Sequence, residues 1–76
     1  LFHKGHYNIL ATTIKEEIKA HMNDESYEGR NALILYSFRL AKRLQKDNEL
    51  FDAKKFVDAC SPDAEQYPFS ELYDEG

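Results

Sequence analysis

Apolar residues return every three or four positions through the first part of the chain, at Tyr7, Leu10, Ala11, Ile14, Ile18 and Met22. That spacing puts all of them on one stripe of an α-helix and predicts a helix from about His6 to Met22. Gly5 is costly inside a helix and tolerated at an N-cap, so it marks the expected start. On the outward side, Glu16 pairs with Lys19 three residues on, and the like charges Lys15 and Lys19 offset that small gain. The periodicity lapses over the polar stretch NDESYEGR, residues 23 to 30, which holds Gly29 and reads as a loop. Ser26 and Asn31 are both candidate caps for the next helix.

The pattern resumes from about Asn31 to Asp47. Leu33, Tyr36, Leu40 and Leu44 form one stripe, and Ile34, Phe38 and Ala41 widen it beyond the usual third of a helix. A broad apolar arc implies contact on two sides, so this second helix is expected to be the central element. The stretch LFDAKKFVDAC, residues 50 to 60, then carries a helix-start signature. With Asp52 as N-cap, Phe51 and Phe56 occupy the two positions whose side chains close over the first turn as a hydrophobic staple. The Asp carboxylate accepts from free N–H groups there and sits at the positive end of the helix dipole. Lys55 stands where a capping box wants Glu or Gln. The predicted third helix, Ala53 to Cys60, turns Phe56, Val57 and Cys60 inward and is stopped by Pro62. So short a helix does not persist alone in water and must dock. Ser61-Pro62 suits the cap and first position of one more short turn.

Seventy-six residues make a single domain, and a chain of that size buries only about 60% of its unfolded surface. Nearly every large apolar side chain must therefore enter one core, and a deep substrate cavity is hard to sustain. The expected fold is all-α, a small three-helix domain with a short extra helical turn and an acidic, aromatic C-terminal tail. Its helical core spans about residues 6–60 and its tail 61–76. Charge obeys the same division. Residues 1 to 60 hold all ten Lys and Arg against nine Asp and Glu, whereas 61 to 76 hold Asp63, Glu65, Glu71, Asp74 and Glu75 and no base. Tyr67, Phe69, Leu72 and Tyr73 place too many large apolar groups in that tail for a disordered linker. They are expected either to pack on the core or to contact a partner.

Little in the chain points to catalysis. The glycines are isolated, so no phosphate-binding loop is present, and neither H-E-x-x-H nor G-x-S-x-G occurs. Glu16-Glu17 and Asp74-Glu75 are sequence neighbours that do not make an acid/base pair. His3 and His6 form an H-x-x-H pair, but zinc needs about four ligands and the only Cys, Cys60, is expected to face inward from another element. His21 is expected to end the first helix favourably. Burial would raise the Cys60 pKa and leave the thiol inert. The expectation is a protein with no enzymatic activity and no cofactor. A lone cysteine suits a reducing compartment, no apolar run approaches the ~20 residues of a membrane span, and the start shows no signal-peptide pattern. A cytoplasmic location without membrane contact is the expectation. The notable surface feature is Arg39, Lys42, Arg43 and Lys46, which share one face of the second helix opposite its apolar arc. Lys54 and Lys55 are candidates to extend it. Such a stripe can hold phosphates, and two helices joined by a tight turn suggest a helix-turn-helix. Net acidity and the shortness of the third helix count against that use.

Two segments, HYNILATTIKEEI and DNELFDAKKFVDAC, resemble small bacteriophage and prophage proteins with the pattern H-Y-x-x-I/L-A and, further on, N-x-x-F-D-x-x-x-F-x-x-A-C. The matching positions are His6, Tyr7, Leu10, Ala11, Asn48, Phe51, Asp52, Phe56, Ala59 and Cys60, over about residues 6 to 60. The resemblance implies a viral origin, a small helical fold and residence in the host-cell cytoplasm. It carries over no catalytic residue, and the tail after Pro62 lies outside it. The expected function is that of a non-catalytic phage accessory protein. It would bind another protein, such as a host factor, through exposed helix surface or the tail. The alternative is a nucleic-acid-binding accessory protein that uses the basic stripe. A weaker third reading has the tail carboxylates imitate phosphates.

Overall fold

The computed structural model describes residues 4–73. Helices α1 (Lys4–Ala20), α2 (Glu28–Asp47) and α3 (Ala53–Cys60) are succeeded by a 3-10 turn at Phe69–Glu71, and the described residues contain no strand. The chain is a small all-α three-helix domain.

Helix α1 begins and ends about two residues earlier than its stripe predicts. Gly5 lies inside its first turn rather than at its cap. The N–H groups of a first turn have no partner within the helix, so a glycine weakens little there. Docking supplies the order instead, through the Tyr7 ring, whose centroid is 4.7 Å from that of Phe51. At the other end the bonds tighten to His21 N–H on Ile18 O and Met22 N–H on Lys19 O, which leaves Met22 off the stripe and exposed. His21 Nδ1 lies 2.7 Å from a carboxylate oxygen of Asp24, closing the turn.

Helix α2 starts three residues before its predicted start, so Asn31 lies inside it. Ser26 is the candidate that acts as a cap, its Oγ accepting from Glu28 N–H at 3.2 Å. Gly29 is needed for a close approach, since a Cβ there would lie 3.2 Å from His21 Nδ1. The inward phase also differs from expectation. Tyr36 is 55% exposed while Ser37 is fully buried with Ala41 and Leu44. Positions 34, 37, 41 and 44 share one line of the helix, and the Ser37 hydroxyl donates to Ile34 O at 2.6 Å, so its burial leaves no unmet polar group.

Helix α3 has the predicted bounds. Asp52 is extended, its Oδ1 accepts from Lys55 N–H at 3.0 Å, and the Phe51 and Phe56 rings close over the turn with centroids 5.5 Å apart. Both are buried, as are Ala53, Val57 and Cys60. α2 does pack against both other helices, but α3 is the hub, touching α1, α2 and the 3-10 turn. The expectation of a central α2 is corrected on that point. A short helix with half its residues buried fits between two long ones, whereas α2 must leave its outer face to water.

The segment after α3 packs on the same core. Ser61 Oγ donates to Tyr67 O at 2.9 Å and accepts from Asp63 N–H at 3.3 Å, giving the short turn expected at Ser61-Pro62. Asp58 then takes Ser70 N–H at 2.7 Å. Phe38 of α2 receives the Phe69 and Tyr73 rings edge-on, with centroids at 6.2 and 5.6 Å.

Candidate interaction surfaces

Four side chains of the stripe, Arg39, Lys42, Arg43 and Lys46, stand exposed along the outer face of α2. Among the described residues the one ion pair joins His21 to Asp24, so no carboxylate neutralises these cations. Lys42 has its Nζ 5.8 Å from the Tyr73 ring centroid, a weak cation–π contact. Lys54 and Lys55 are exposed on α3. The helix-turn-helix idea requires α3 to enter a groove of DNA, and its position at the hub of the core rules out that use.

The four tail candidates separate. Phe69 and Tyr73 are buried by their own chain and are withdrawn as partner contacts, while Tyr67 and Leu72 remain exposed. Of the tail carboxylates, Asp74 and Glu75 lie outside the described residues, as does His3. No group of three or more His, Cys, Asp and Glu side chains that could hold a metal ion occurs among the described residues. Cys60 is fully buried, and burial pushes its thiol up to about 12.

A groove the sequence did not announce runs between the start of α1 and α3, with a volume of about 340 Å³. Its walls include Tyr7, Ala11, Phe56 and Ala59, and Lys4 and Lys55 line it from the two helices. Leu50 stands at this groove and is 93% exposed. The linker explains why. Asn48 Oδ1 accepts from Leu50 N–H at 3.1 Å, and Asn48 O accepts from Phe51 N–H at 2.9 Å. This Asx-turn drives Phe51 inward and Leu50 outward. The signal was present in the run NELFD, where two adjacent apolar residues on a tight turn cannot both face the core. A second groove, about 260 Å³, lies beside Arg30, Ile34 and Tyr67. Arg30 stacks over the Tyr27 ring at 4.3 Å there, and its buried Nε has no hydrogen-bond partner.

No helix among the described residues is long and apolar enough to cross a membrane. Comparison with protein-family models, curated proteins and solved structures finds no match for this chain.

Proposed function

We propose that the protein is a non-catalytic interaction module whose α1–α3 groove takes an apolar segment of another protein. The observation that carries this reading is Leu50, a leucine held in solvent by a hydrogen-bonded turn beside an apolar groove. A large apolar side chain so placed gains nothing for the fold and is a natural anchor for a partner. Charge narrows the occupant. Lys4 and Lys55 line the groove without carboxylate partners, and Asp52, the acid among the lining residues, already accepts from a backbone N–H. An apolar segment flanked by Asp or Glu complements this rim. A second copy of the chain suits it less, because it would bring the same lysines together and a groove this small is far below the ~1,000 Å² a stable dimer needs.

On the resemblance borne by His6, Tyr7, Asn48, Phe51, Asp52 and Phe56, the protein is a phage accessory protein and its partner a host-cell protein met in the cytoplasm. The test is affinity capture from host lysate with the full chain and with Leu50→Asp and Lys55→Glu variants, each checked for helicity by circular dichroism. A captured protein that both variants lose supports the reading. Identical capture by all three forms, or none by the unaltered protein, overturns it.

A further inference from the structure

The outer face of α2 is a separate surface, and its charge is out of keeping with the rest of the chain. Residues 29 to 46 hold five Lys and Arg and no carboxylate, while the remainder holds five against fourteen Asp and Glu. Four of those cations, Arg39, Lys42, Arg43 and Lys46, recur at spacings of three, four and seven on one exposed face. None has an acidic partner among the described residues, although the protein is net −4. Packing does not require this, since the buried line of the helix is Ser37, Ala41 and Leu44. Tyr36 stands three residues before Arg39 and seven before Arg43, and over half of its surface is exposed. Leu35 is exposed beside it.

We infer that this face binds single-stranded nucleic acid, with the four cations on backbone phosphates and Tyr36 as the platform for a base. The seven-residue span from Arg39 to Lys46 covers about 10 Å of helix, enough for two successive phosphates of an extended strand. A row of unpaired cations next to an exposed aromatic ring is the usual chemistry of sequence-tolerant strand binding. The acidic remainder of the molecule repels the same polymer, so the strand is confined to α2. A duplex offers phosphates but no free base face for Tyr36, and an anionic membrane offers neither spacing nor stacking. The single strand is therefore favoured over both.

The test is fluorescence anisotropy of the full chain with labelled oligo-dT and oligo-rU of ~20 nucleotides and with a 20-base-pair duplex, together with sedimentation on phosphatidylserine vesicles. Contacts to three or four phosphates predict affinity for the single strands falling about 20- to 50-fold between 50 and 200 mM salt. Arg39→Glu/Arg43→Glu should abolish the binding, and Tyr36→Ala should weaken it about tenfold. The same charge change on α1, Lys15→Glu/Lys19→Glu, should change it by less than about threefold, and Leu50→Asp should leave it unaltered. Absence of strand binding at 50 mM salt overturns the inference. So does duplex binding of equal strength that ignores Tyr36, or binding to vesicles alone.

Discussion

Phe38, midway along α2, meets Tyr73 edge to face with ring centroids 5.6 Å apart, and so ties the end of the described chain to its middle. Edge-to-face pairs of this kind add ~0.5–1.5 kcal/mol beyond the area they bury. Phe69 reaches the same ring, and Asp58 holds the turn between them through Ser70 N–H. The tail thus belongs to the core. Cutting the chain after Ser61 should lower the melting temperature sharply, and Tyr73→Ala alone should cost about 3 kcal/mol in chemical denaturation. Unchanged stability after the cut would show that the tail does not pack in solution.

At the start of α3 the staple and the cap make separable contributions. Phe56→Ala removes a buried ring that touches Phe51 and should cost ~3 kcal/mol or more. Asp52→Ala should cost about 1 kcal/mol, and Asp52→Asn much less, since Asn also accepts from Lys55 N–H. A Phe56→Ala change below about 1 kcal/mol by urea titration would contradict the packing described.

Leu50 and Phe51 are neighbours in sequence and opposites in environment. Leu50→Ser should leave stability within about 0.5 kcal/mol, as expected for an exposed site. Phe51→Ala should destabilise by ~3 kcal/mol. Asn48→Ala removes the side chain that holds the Asx-turn and should lower stability modestly, by ~1 kcal/mol. Paired denaturation curves of the three variants decide the matter.

The Cys60 thiol links stability to alkaline pH. Burial raises it from an ordinary 9.0 to about 12 in the folded protein, so the folded state keeps a proton that the unfolded chain releases. Its contribution is fully present below pH 9 and declines as pH rises toward 12. The slope is about 1.4 kcal/mol per pH unit. The stability difference between the unaltered protein and Cys60→Ala should track that course, and a difference independent of pH would exclude it. In native buffer a thiol reagent should modify Cys60 only as fast as the fold opens.

Local rules carried much of this fold and little of its surface. The three-and-four spacing, the Asp52 cap and the stop at Ser61-Pro62 concern residues within one or two turns of each other, so the helices and the bounds of α3 were legible. The α2 stripe was legible too, because a helix of known phase leaves Arg39, Lys42, Arg43 and Lys46 opposite its apolar arc. The starts of α1 and α2 were misjudged where Gly5 and Gly29 look like breakers, since docking of Tyr7 and His21 overrides propensity there.

By itself the order of residues determined three helices, their approximate limits and a row of cations on one face, because backbone hydrogen bonding and side-chain period act over a few positions. Only the tertiary structure decided that α3 is the hub, that Ser37 goes in and Tyr36 out, that Phe69 and Tyr73 close on Phe38, and that Leu50 stands beside a groove. Those outcomes depend on which distant surfaces meet, and the free energy of burying them is shared among elements that no local window contains.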